Sequence, residues 1–163
     1  MPDPDARVAD DSLDEITDAL LTASRLLVAI SAQSIASVDE TLTIPQFRTM
    51  VLLSTRGPIN LATLAGLLDV APSTTGRMAD RLVAAGLIDR HPHPDSRREL
   101  VVELTARGRD VVSDVTGHRR RKIAEVVEMM PVRERRGLVR ALTAFTRAGG
   151  EPAAAVEIGG FLA

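Results

Sequence analysis

Residues 60–105, NLATLAGLLDVAPSTTGRMADRLVAAGLIDRHPHPDSRRELVVELT, constrain the fold of this chain more than any other stretch. Asn60 can cap a helix whose Leu61, Leu64, Leu67 and Leu68 point inward. Asp69-Val70-Ala71-Pro72 reads as a tight turn, because proline suits the first position of the helix that follows. That second helix runs to about Ala85, with Gly86 as its C-cap. Met78 and Leu82, four residues apart, face the preceding helix. Gly86-Leu87-Ile88 leads into a strand, residues 91–98 read as a polar loop punctuated by proline, and residues 99–104 alternate, with Leu100, Val102 and Leu104 on one face. Helix, turn, helix, then strand, charged loop and strand is the order of a winged helix-turn-helix, a module that places one helix in the DNA major groove and a basic loop beside it.

The flanks read as helices. Residues 1–11 form an acidic arm with Pro2 and Pro4 and little to bury, expected to be disordered. Residues 12–40 carry Leu13, Ile16, Leu20, Leu27, Ile30 and Ile35 roughly on one stripe, which suggests a helix that packs against a second subunit. Thr43 and Gln46 have capping-box spacing, Pro45 sits in the first turn, and Gly57-Pro58 ends the helix they start. Thr105 caps a long helix to about Met129, and Pro131 breaks it. A last helix runs to Ala148 with Leu138, Leu142 and Phe145 as its buried stripe. The expected architecture is mainly α with a small β-wing: a winged helix-turn-helix lobe over 41–104, flanked by long dimerisation helices over 12–40 and 105–148, with a tail over 149–163.

Composition excludes several classes of function. There is no cysteine, so disulfides, thiolate metal sites and thiol redox sensing are excluded. No Gly-rich phosphate loop, His-Glu helical metal motif or nucleophile elbow is present, and no catalytic residue is expected. No run of about 18 apolar residues appears and the N-terminus is acidic, so neither a membrane span nor a secretory signal is expected, and the reading is a cytoplasmic protein. The net charge of −2 is poor for a DNA binder, but it is unevenly spread. Residues 1–40 hold nine acids and two arginines, 119–147 hold nine bases and three acids, and 60–118 are near balance.

The candidate DNA-binding residues follow from position. A recognition helix reads bases with its N-terminal residues, which here are Ser73, Thr74, Thr75, Gly76 and Arg77, followed one turn later by Arg81. Hydroxyls can bond bases or phosphates, and an arginine can read guanine through two hydrogen bonds. Arg97 and Arg98 stand at the wing tip, where a narrow minor groove attracts guanidinium groups, and Asp95 or Ser96 could orient them. His91, His93 and Asp95 invite a zinc reading, set aside because prolines stiffen the loop and no fourth ligand is near. No metal and no cofactor is expected. Arg119, Arg120, Arg121, Lys122, Arg133, Arg135 and Arg136 read better as a solvated outer face, balanced by the acidic arm of a partner, than as phosphate contacts.

From about Leu42 to Gly108 the chain resembles the MarR (multiple antibiotic resistance regulator) family of bacterial transcription factors. The resemblance is carried in order by LTIPQFRTMVLLSTRGPI, LATLAGLLDVAPSTTGRMADRLVAAGLIDR and DSRRELVVELTARG. It implies a homodimer formed by the first and last two helices. Two winged modules would then sit on a pseudo-palindromic operator about one helical turn apart. Carried over by position, Ser73, Thr74, Thr75, Gly76, Arg77 and Arg81 fall on the recognition helix and Arg97 and Arg98 at the wing tip. Three departures stand out. Ala71 replaces a frequent capping Ser, Gly76 a frequent Thr or Ser, and Ser96 rather than Asp95 falls on the usual acid position of the wing.

The expected function is a sequence-specific transcriptional regulator, a repressor relieved by a small aromatic or phenolic effector that changes the spacing of the two recognition helices. The effector site is unmarked in the sequence. Phe47 is the only aromatic residue near the lobe junction, with Arg25 and Arg48 as cations that could pair with an anion. Two other readings stay open: a winged-helix protein-interaction module, and a small-molecule or metal-binding protein with vestigial DNA affinity.

Overall fold

A computed structural model describes residues 11–93 and 96–151, without the side chains of residues 96–98. Seven helices and three strands follow in the order α1 (Leu13–Ala36), α2 (Ile44–Arg56), β1 (Ile59–Asn60), α3 (Leu61–Leu68), α4 (Pro72–Ala84), β2 (Ile88–His93), β3 (Ser96–Leu104), α5 (Ala106–Met129), α6 (Val132–Arg135) and α7 (Leu138–Ala148). The fold is mostly helical with one antiparallel sheet of order β1-β3-β2.

Local chemistry sets the helix starts. Ser12 and Glu15 close a capping box on α1, and Thr43 and Gln46 close another on α2. Asn60 accepts from the Thr63 amide at 2.7 Å to start α3, and Thr105 accepts from the Gly108 amide at 3.0 Å to start α5. Each such cap stabilises by about 0.5–2 kcal/mol, because it satisfies an amide the helix cannot. Gly57 ends α2 at φ 75°, where a Cβ would be strained. Asp69, a non-glycine residue, ends α3 in the left-handed region at φ 53°.

The core lies between α2, α3, α4, the sheet and the first turns of α5. Met50, Leu64, Leu82, Leu87, Ile88, Val102 and Val115 are fully buried in it. Each such side chain gains about 1.5–3 kcal/mol from leaving water. The last turns of α1 join this lobe through Ile30 and Ile35, and α1 packs on α5 and α2.

Several expectations are corrected. The C-cap of α4 is Ala85, and Gly86 follows it at φ 69°. Gly86 donates to Val83 and Leu87 to Leu82, the paired bonds of a Schellman motif. The polar loop over 91–98 is mostly strand: β2 runs through Pro92 to His93, pairing in register with β3 until a shift at Pro92/His93. Proline is tolerated there because β2 is an edge strand. The alternation in β3 is also broken. Leu100 is exposed while Val101, on the other face, is buried. The two-residue β1 was not foreseen; it pairs Ile59 with Val102. The last helix is split, because Arg136 is extended and Gly137 turns left-handed at φ 78°, leaving the short α6 before α7.

Among the described residues, the first turns of the α1 stripe and Leu142 and Phe145 of the α7 stripe stay open, while Ile30 and Ile35 at the end of α1 are buried in the lobe. Leu13 is 79% exposed, Leu142 46% and Phe145 55%. α1, with 24 residues and a mean hydropathy of 1.5, is long and apolar enough to cross a bilayer, which the sequence reading had not anticipated.

Candidate nucleic-acid interface

The α4 helix has two faces set by its spacing. Thr75, Ala79 and Leu82 turn into the core, and Met78 packs beside them. Ser73, Thr74, Arg77 and Arg81 lie on the exposed side, and Gly76 is half-buried between the faces. Thr75 therefore departs from the expected DNA-contact set. It is 1% exposed, and its hydroxyl reaches the Ala71 carbonyl at 3.5 Å. The period of the helix puts Thr75 one turn before Ala79 on the buried face, so the same geometry that exposes Arg77 hides Thr75.

The two ends of α4 are held differently. At its N-terminus Ala71 accepts from the Thr74 and Thr75 amides through its carbonyl, but it offers no side-chain cap. At its C-terminus the fixing is tight. Thr105 Oγ1 donates to the Gly86 carbonyl at 2.8 Å, the Thr105 amide to Leu87 at 3.1 Å, and Arg107 Nη1 to Ala85 at 3.3 Å. The start of α5 thus grips the end of α4. Mid-helix, Thr49 of α2 places its hydroxyl 3.3 Å from the Met78 sulfur.

An open cleft of about 540 Å³ separates the first turn of α2 (Thr43, Pro45, Gln46) from the outward face of α4 (Thr74, Arg77, Met78, Arg81). Among the described residues neither Arg77 nor Arg81 is paired with a carboxylate. Two cations on one helix face, without internal counter-charges, are available to an external anion. Nothing in the sequence pattern pointed to Gln46 as part of this surface, because its capping role already accounts for it.

The β2–β3 hairpin is anchored to α4 and to itself. Arg90 on β2 reaches Asp80 on α4 at 3.0 Å. His91 Nε2 lies 3.0 Å from Glu103 Oε1 across the hairpin. Arg97, Arg98 and Ser96 fall on β3, but their side chains, and Asp95 altogether, lie outside the described residues. Among the described residues no three His, Cys, Asp or Glu side chains gather as a metal site, and His91 is engaged by Glu103.

The residues weighed for an effector differ in burial. Phe47 is buried in the core, while Arg25 and Arg48 are exposed. The C-terminal bases have varied roles. Arg135 donates to the Met130 and Glu128 carbonyls and so caps α5, and Lys122 and Arg133 pair with Glu125 and Glu134. Arg120, Arg121 and Arg136 are exposed, and Arg119 keeps its Nε shielded with no partner among the described residues.

The family model described as MarR family matches residues 42–100. RV1404 from Mycobacterium tuberculosis, known from a crystal structure, is 73% identical, over 90% of this chain and 99% of that one, with a TM-score of 0.82. The uncharacterized HTH-type transcriptional regulator YfiV of Bacillus subtilis (strain 168) is 23% identical over 107 residues, which cover 66% of this chain and 67% of that protein. A mutant of MepR from S. aureus, solved bound to an oligodeoxyribonucleotide, shares the fold. It has a TM-score of 0.62 at 18% identity, covering 82% of this chain and 96% of that one.

Proposed function

Because this chain belongs to the MarR family of transcriptional regulators, we propose that it is a cytoplasmic repressor that binds a pseudo-palindromic operator as a homodimer and is released by a small aromatic or phenolic anion. The observation that carries the reading is the outward face of α4. Ser73, Thr74, Arg77 and Arg81 are exposed on a helix whose other face packs in the core and whose C-terminal end is held by α5, with the two arginines unpaired among the described residues. A helix that exposes Ser73, Thr74 and Arg77 in its N-terminal half, with Arg81 on the same side in its last turn, matches what major-groove reading requires. Arg97 and Arg98 would add backbone or minor-groove contacts from the wing. The oligodeoxyribonucleotide bound by the MepR mutant supports the same use of the fold.

The apolar residues left open on α1 and α7 support a second copy as partner. Leu13, Ile16, Val139, Leu142 and Phe145 are exposed in one chain, and family architecture pairs these helices across a two-fold axis. The same pairing is the better account of α1 than a bilayer, since its C-terminal turns are already committed to the lobe through Ile30 and Ile35. The cleft beside Arg77 and Arg81 suits the effector. It offers two cations for a carboxylate, so an occupant would compete with DNA for the same arginines.

The test is a fluorescence-anisotropy titration of wild type and Arg77→Ala against a duplex that the wild type selects from a random library, with a scrambled duplex alongside. Loss of roughly 1–3 kcal/mol on the selected duplex and little on the scrambled one is expected. Equal loss on both would assign Arg77 to phosphate. No selection by the wild type would refute the operator reading.

A further inference from the structure

The recognition helix carries an acid where it could do harm. Asp80 lies three residues after Arg77 and one before Arg81, and it is 65% exposed at its side chain. Helical spacing of three brings Asp80 within reach of Arg77. A carboxylate there could capture Arg77 or repel the phosphates that Arg77 approaches.

The structure commits Asp80 elsewhere. Its Oδ1 lies 3.0 Å from Arg90 Nη2 on β2, and Arg90 is only 26% exposed. Nε and Nη2 of Arg90 are both shielded from solvent without an aligned hydrogen-bond acceptor, so the contact is one of charge more than of a directed bond. Arg90 is held by the β2–β3 ladder opposite Val102, a fully buried residue. The guanidinium therefore comes from a fixed strand, and it ties helix to wing while cancelling the one acidic charge between Arg77 and Arg81. With the carboxylate side of the pair exposed and no aligned hydrogen bond, it contributes little to stability, and its effect should fall on recognition.

We propose that Arg90 is a positioning and specificity-determining residue that acts through Asp80: it sequesters the carboxylate so that Arg77 and Arg81 stay free for DNA. The inference rests on the DNA-binding reading above. It differs from a direct phosphate contact by Arg90 in one respect. If Arg90 works through Asp80, removing the carboxylate charge repairs the loss of Arg90. If Arg90 touches phosphate itself, it does not.

The experiment is a double-mutant cycle on the full chain with Arg90→Ala, Asp80→Asn and the pair, titrated against the library-selected and scrambled duplexes. Asn keeps an oxygen facing Arg90 in the single variant. Arg90→Ala should weaken the selected duplex about tenfold, Asp80→Asn should change it by less than about threefold, and the pair should return to within about twofold of Asp80→Asn. Arg90→Lys, which keeps the charge, should retain most of the affinity. Arg90→Gln replaces Arg90→Ala in the same cycle if the alanine variant does not fold. A double variant as weak as Arg90→Ala overturns the inference while leaving the DNA reading intact. A wild type that does not tell the two duplexes apart brings down both.

Discussion

Gly108 lies where α5 meets the end of the recognition helix, and Gly108→Ala should destabilise the protein although it adds a good helix former to a helix. A Cβ at this position would collide with the Leu87 carbonyl and lie 3.1 Å from Leu104 Cδ2. The Leu87 oxygen is backbone and cannot swing away. It also accepts from the Thr105 amide, and Gly108 itself donates to Thr105 Oγ1. Relief of the clash must push α5 away from the α4–β2 turn, at the expense of the bonds Thr105 makes to Gly86 and Leu87. Overpacking costs about 1–3 kcal/mol and each of the two weakened hydrogen bonds about 0.5–1.5, against a helix-propensity gain of about 1, so the net loss is about 1–5 kcal/mol. At about 2–4 °C per kcal/mol for a chain of this size, Tm should fall by roughly 2–20 °C. Gly66→Ala is the matched control. Gly66 is also helical, and a Cβ there meets nothing within 4 Å, so it should gain about 0.5–1 kcal/mol. Thermal and urea melts of all three proteins at one fixed protein concentration decide the matter. If Gly108→Ala melts at or above wild type, the close approach of α5 to Leu87 is not what holds this junction.

Thr75→Val should leave binding to the selected duplex within about twofold of wild type, because the hydroxyl is buried and its bond to Ala71 is long; a large loss would return Thr75 to the DNA-contact set. Arg98→Ala should weaken binding and lower the slope of log affinity against log salt by up to about one, the signature of one lost phosphate contact; an unchanged slope would remove Arg98 from the backbone contacts. Asp39 has its carboxyl held below the ordinary range because it accepts from Thr41 Oγ1 at 2.7 Å and from the Thr41 amide at 2.9 Å, with burial opposing and the Arg107 charge assisting. Its folded pKa is depressed, so its contribution is present above the unfolded value and is lost as pH falls through the folded one. Acid melts of wild type against Asp39→Asn should converge as pH drops; parallel curves would show that Asp39 has no such linkage.

What the sequence made legible is what short-range chemistry specifies. Thr43 with Gln46, Asn60, Pro72 and Thr105 each mark a helix start through spacing of a few residues, and all four starts lie where those residues put them. Arg77 and Arg81 could be placed on one face because the helix period alone decides it. Thr75 follows the same rule: it stands four residues before Ala79, on the buried face, although hydroxyl residues beside it in sequence face outward. The β2–β3 hairpin was under-read for a different reason. Pro92 is a poor strand residue in general but an acceptable one on an edge, and which strand is the edge depends on the unforeseen pairing of β3 with β1. Arg90 and Asp80 were invisible because ten residues and a change of secondary structure separate them, and no periodicity links a helix to the strand after it. The stripe on α7 is legible as apolar and as the buried face of a dimerisation helix, and within one chain its Leu142 and Phe145 are exposed. Leu142 and Phe145 stay open because the surface that would cover them is not local to the sequence at all. If that surface is a second copy, as proposed, these side chains connect affinity to concentration. Dilution would uncover α1 and α7 together, and DNA affinity should fall with the dimer, not with the fold of the lobe, whose core is complete without them.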